Sequence, residues 1–113
     1  MEATKLVNEI CKVLSDKKAM DIIKINVTEK TTVADYFIIA SGRTVTQVKS
    51  LAENVEELVE KNLGVNVRRR EGLTDGRWAV LDYGDVIVHI FNDEQRLFYH
   101  LERLWGEGEK VQG

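Results

Sequence analysis

Apolar residues recur along this chain with two different periods. Leu6, Val7, Ile10, Val13 and Leu14 fall at helical spacing, which predicts an amphipathic helix up to about Ser15 with one face on a core. Ile23, Ile25 and Val27 then alternate with Lys24 and Asn26, the pattern of a strand with one wet face near a sheet edge. Tyr36 to Ala40 is continuously apolar and β-prone, as a central strand covered on both faces requires, and Ser41-Gly42-Arg43 closes it. Thr44 and Gln47 have the spacing of a capping box. The stripe behind them, Val48, Leu51, Ala52, Val55, Leu58, Val59 and Leu63, stops at Gly64, so a second helix is predicted with a glycine C-cap. Because strand, crossover helix and strand keep one hand, a strand around Val65 to Arg70 should run parallel to the Tyr36 strand in the same sheet.

Glu71 to Gly76 reads as a turn-rich connection, and Trp78 to Phe91 as two strands joined at Tyr83-Gly84-Asp85, which makes the last three strands a meander. Asn92 with Gln95 should cap a third helix whose Leu97, Phe98, Leu101, Leu104 and Trp105 share a face and which ends at Gly106. Glu107 to Gly113 is polar, and a frayed end is expected. The predicted architecture is α/β: one domain over residues 1–106, with a single mixed sheet of about five strands and three helices packed on it, then a polar tail over 107–113.

Composition narrows the partners. The 113 residues suit one core, and the formal net charge of −3 argues against a protein held on nucleic acid by a general positive field. Acids outnumber bases from Asp82 onward, which favours a basic protein partner. Arg68-Arg69-Arg70 is a short basic cluster, read as a charged edge strand that resists aggregation, with a local RNA contact as the lesser alternative. Nothing resembles a membrane span or signal peptide, so a soluble protein is expected. Cys11, the single cysteine, lies on the first helix's apolar stripe and reads as a buried thiol suited to a reducing cytosol.

Candidate chemistry is sparse. Ser41-Gly42 lies where phosphate-binding loops sit, at the end of a strand and the start of a helix, but the P-loop lysine and the wider glycine pattern are missing. Asp82 and Asp85 are separated by a turn and do not obviously converge on a metal pair. His89 reads as a hydrogen-bonded core residue, because neither it nor His100 has a second ligand at zinc spacing. No cofactor is expected. Trp78, Val80 and Asp82 share one face of their strand while Ala79, Leu81 and Tyr83 take the other. An indole beside carboxylates at a sheet edge suits docking of a basic partner.

Several blocks together are similar to the ribosomal silencing factor family (RsfS), also called Iojap-like proteins. They are Asp35-Tyr36-Phe37-Ile38-Ile39-Ala40-Ser41-Gly42, Gln47-Val48, Glu71-Gly72, the run from Trp78 through Phe91, and Arg96, Phe98, Tyr99, Leu101, Glu102, Leu104 and Trp105 in register. The resemblance implies a nucleotidyltransferase-like fold that has lost its catalytic residues, and hence no enzyme. It implies binding to ribosomal protein fourteen of the large subunit and a steric block to joining with the small subunit, which represses translation when nutrients are short. The contact surface it implies is Trp78, Asp82, Tyr83, Gly84 and Asp85, with Glu71 and Gly72 nearby. Val80 stands where leucine is commoner in the family. Family members also form homodimers, which this sequence does not address. Organelle relatives carry N-terminal extensions, and without one a bacterial cytoplasm is the expected setting. The competing readings are a nucleotidyltransferase-like enzyme using Ser41-Gly42 with Asp82 or Asp85, and a small RNA-binding module using Arg68 to Arg70.

Overall fold

The structure, a computed structural model, describes residues 3–92 and 109–111. Helix α1 spans Ala3–Asp16 and buries Leu6, Val7, Ile10, Cys11, Val13 and Leu14, the predicted stripe. Its last carbonyls are closed by Lys17 N–H donating to Val13 O and Ala19 N–H donating to Leu14 O. Lys18 stands between them at φ +66°, so a lysine fills the left-handed position that glycine usually takes in such a cap.

The strands are β1 (Met20–Asn26), β2 (Tyr36–Gly42), β3 (Arg69–Glu71), β4 (Trp78–Asp82), β5 (Val86–Asn92) and β6 (Glu109–Val111), and helix α2 spans Val45–Leu63. Among the described residues they form one six-stranded sheet in the order β3-β4-β5-β2-β1-β6. β2 and β5 pair in parallel and the other neighbours are antiparallel. The mixed α/β sheet is therefore as expected, with two corrections. Glu109 to Val111 is an edge strand on β1 where a frayed tail was predicted, so β1 sits one strand in from the edge. β3 runs in the same direction as β2, as the crossover rule requires, but the strand begins at Arg69, spans three residues and lies beyond β4 at the far edge. The third predicted helix falls outside the described residues.

Helix α2 is capped as its sequence specifies. Thr44 Oγ1 accepts from Gln47 N–H at 3.0 Å and Gln47 Oε1 accepts from Arg43 N–H at 2.6 Å, so the reciprocal bond reaches one residue further back than in a standard capping box. Gly64 closes the helix at φ +68°, its N–H donating to Glu60 O.

Both described helices pack on one face of the sheet. Ile38 and Ala40 of β2, Ala79 and Leu81 of β4 and Val86, Val88 and Ile90 of β5 meet them in the larger apolar cluster. The alternate residues, Phe37 and Ile39, Ile87 and Phe91, join Ile25, Val27 and Ala34 in a second cluster on the opposite face, with Ile23, Trp78 and Val80 against it. The double-sided burial of β2 is what its unbroken apolar run predicts. Among the described residues no helix is long and apolar enough to cross a membrane.

Candidate functional site

The β4–β5 hairpin places most of the candidate residues. Register pairs Trp78 with Phe91, Val80 with His89 and Asp82 with Ile87, and directly paired residues share a face. The face turned away from the two described helices therefore carries Trp78, Val80 and Asp82. On the outer side β3 adds Arg69 opposite Asp82 and Glu71 opposite Val80, and on the inner side β2 adds Phe37 and Ile39 beside Ile87 and His89.

Trp78 lies part-exposed at the rim of an aromatic cluster. Its ring stacks on Phe91 at 5.0 Å between centroids, and His89 takes Phe37 edge-on at 5.2 Å and 64°. The indole Nε1–H donates to His89 Nδ1 at 3.1 Å. His89 Nε2 is shut off from solvent and has no hydrogen-bond partner among the described residues, and burial lowers the imidazole pKa to about 4. A charge there would be buried with no compensating acid among the described residues, so the neutral ring is favoured.

The turn after β4 is held from three sides. Asp82 Oδ1 accepts from Gly84 N–H at 2.7 Å, and Tyr83 N–H donates to Val86 O. Asp85 O accepts from both Asp35 N–H and Tyr36 N–H, at 2.8 and 3.1 Å, which ties the turn to the start of β2. Gly84 has φ +91°, and the guanidinium of Arg68 covers the place where a Cβ would stand. Asp85 is exposed and Asp82 part-exposed, so both carboxylates flank the turn at the surface.

The predicted residues thus occupy a strip along β4, with the indole at one end and the acids at the other, about 13 Å apart at ordinary strand rise. Glu71 is exposed beside it, and Gly72, at φ +75°, lies so close to the Trp78 carbonyl that no side chain fits. Tyr83 is placed differently from its neighbours. The residue is 5% exposed in the helix-side core, its hydroxyl has no partner among the described residues, and burial, aided by nearby Glu56, pushes the phenol well above its ordinary range. Its side chain fixes the turn from beneath, and only its backbone lies at the surface strip.

Arg69, Val80 and His89 lie on the same face and were not among the predicted contacts, although strand alternation and register would have placed them once β4 was paired with β3 and β5. The arginines do not form one basic stripe. Arg69 shares the Trp78 face, whereas Arg70 turns to the helix side and bonds Glu56 of α2 at 2.6 Å. Ser41 is fully buried. No group of three or more His, Cys, Asp or Glu side chains able to hold a metal occurs among the described residues.

Fold and strip together define a small mixed-sheet α/β domain with an aromatic and acidic edge facing away from its two described helices. Comparison with known proteins is specific: the chain belongs to the RsfS family, "Ribosomal silencing factor during starvation", whose model matches residues 1–112. It is 39% identical to the ribosomal silencing factor RsfS of Bacillus subtilis over 92 residues, 81% of this chain and 77% of that protein. It is 41% identical to the RsfS of Zymomonas mobilis, covering 86% of this chain and 72% of the relative. Among solved structures, a Chromobacterium violaceum protein superposes with a TM-score of 0.90 at 33% identity, covering 98% of this chain and 92% of the other.

Proposed function

We propose that this chain is a ribosomal silencing factor that works by occupancy. It binds ribosomal protein fourteen of the large subunit in the cytoplasm and sterically prevents the small subunit from joining, lowering translation when nutrients are limiting. Trp78 fills an apolar patch of that protein, Asp82 and Asp85 meet its basic side chains, and Glu71 and the backbones of Gly72 and Gly84 border the contact. Tyr83 holds the turn in place. The observation that carries this reading is the shared strip on β4: a part-exposed indole and two accessible carboxylates on one rigid hairpin. Aromatic anchors ringed by charge are the usual centre of a protein interface. On this reading the sheet is nucleotidyltransferase-like in outline and catalyses no reaction. Asp82 is already engaged by Gly84 N–H, which leaves it poorly placed as half of a metal pair.

Co-sedimentation with isolated large subunits tests the proposal. Wild type should travel with the subunit and reduce its association with small subunits, and the paired substitution Trp78→Ala with Asp82→Ala should abolish both effects. Wild type remaining at the top of the gradient, or unchanged binding by the double variant, would overturn it. Sedimentation of the free protein at several concentrations reports whether it forms a homodimer, and titration with ATP and magnesium tests the enzymatic alternative.

A further inference from the structure

We propose that His89 is a positioning residue for Trp78: held as the neutral tautomer with its proton on Nε2, it presents Nδ1 as a fixed acceptor that locks the indole in its docking orientation. The inference rests on the reading of Trp78 as the partner anchor and assigns a role to its neighbour on the same sheet face.

The geometry is set by the sheet. His89 pairs with Val80 and Trp78 with Phe91, so imidazole and indole are diagonal neighbours on one face, a separation that aromatic side chains can bridge. The indole nitrogen can only donate, and it points at His89 Nδ1 at 3.1 Å. The opposite tautomer would set two N–H groups against each other. Phe37 meets the imidazole edge-on, and Phe91 lies parallel to it, 11° between planes at 6.3 Å. The ring is thus confined and cannot offer its other nitrogen without repacking both phenyl groups.

The assignment leaves the Nε2–H without an acceptor among the described residues. A buried nitrogen without a partner is disfavoured, yet here it is the far nitrogen that is left unsatisfied while the near one faces the indole. Stacking on Phe91 fixes the plane of Trp78, and the hydrogen bond fixes which way the indole edge points. An anchor frozen before contact loses less side-chain entropy on binding.

NMR of the full-length protein, together with subunit binding, tests this. In wild type the imidazole nitrogens of His89 should show the Nε2-protonated pattern, and the Trp78 indole N–H, assigned by its loss in Trp78→Phe, should be shifted downfield and slow to exchange. His89→Asn, whose amide oxygen overlays Nδ1, should keep that signature and near-wild-type affinity for large subunits. His89→Leu should lose it and bind about tenfold more weakly, the range expected for one hydrogen bond. A proton on Nδ1 in wild type, or an unchanged indole resonance in His89→Leu, would overturn the inference whether or not that variant is destabilised. Equal affinity of the Leu and Asn variants would also overturn it. If wild type does not bind the subunit at all, it is the docking reading that fails, and the role given to His89 falls with it.

Discussion

Burial gives His89 a pKa of about 4 in the folded protein, against about 6.5 in an unfolded chain. The unfolded state therefore takes up the proton first as pH falls. The stability that depends on the neutral ring is complete above pH 6.5 and is lost as pH falls through 4, a swing of about 3 kcal/mol. Thermal melts between pH 7 and 4 should show a steeper loss for wild type than for His89→Asn. Parallel curves would mean that the ring titrates normally. Two glycines of the strip should respond differently to a methyl group. At Gly72 the new carbon would stand 1.9 Å from the Trp78 carbonyl oxygen, a backbone atom that cannot retreat, so Gly72→Ala should cost about 3 kcal/mol or more. At Gly84 the obstruction is the tip of the flexible Arg68 side chain. That leaves mainly the strain of a positive φ, and denaturant melts of Gly84→Ala should show a loss of about 1–2 kcal/mol.

At the scale of single elements, the two described helices end in the same way with different residues. Gly64 suits its left-handed position, whereas Lys18 at φ +66° does not. Lys18→Gly should raise stability by up to about 1 kcal/mol in urea titrations, because the strain removed outweighs the freedom glycine adds to the unfolded chain. The carbonyl of Lys18 that accepts from Gln47 Nε2 is retained in that variant. Edge strand β3 is three residues long, and all three are exposed. It is fastened to β4 by its ladder and to α2 by the Arg70–Glu56 pair, whose arginine is 59% exposed. An ion pair so open contributes little, so the backbone ladder to β4 is what holds the strand in place. The arginines that discourage stray pairing at this edge also keep the site's border short and charged.

The whole molecule divides its two sheet faces between two tasks. One carries both described helices and the larger core, and the other carries the smaller aromatic cluster and the strip. Binding of an acidic rim to a cationic protein is electrostatic at long range. Affinity for the large subunit should therefore weaken with added salt, and the dependence should flatten in Asp82→Asn with Asp85→Asn, measured by co-sedimentation across a salt series. The Trp78→Phe variant should keep the wild-type salt slope while binding less tightly.

Periodicity alone determined the positions of α1, β2 and α2, the Thr44 and Gly64 caps, and the split of Trp78, Val80 and Asp82 from Ala79, Leu81 and Tyr83, because each depends on contacts within one element or on strand alternation. Of β1 it showed the part over residues 23–26 and not the start at Met20, the register shift or the buried Ile22. The resemblance blocks, Trp78 to Phe91 above all, carried the family. What only the tertiary structure decided involves contacts distant in sequence: β6 closing on β1, β3 separated from β2 by both β4 and β5, Arg70 reaching Glu56 of α2, and His89 bonded to Trp78. Strand order and register arise from how whole faces pack, and no local pattern in a chain encodes which distant strand will supply a neighbour.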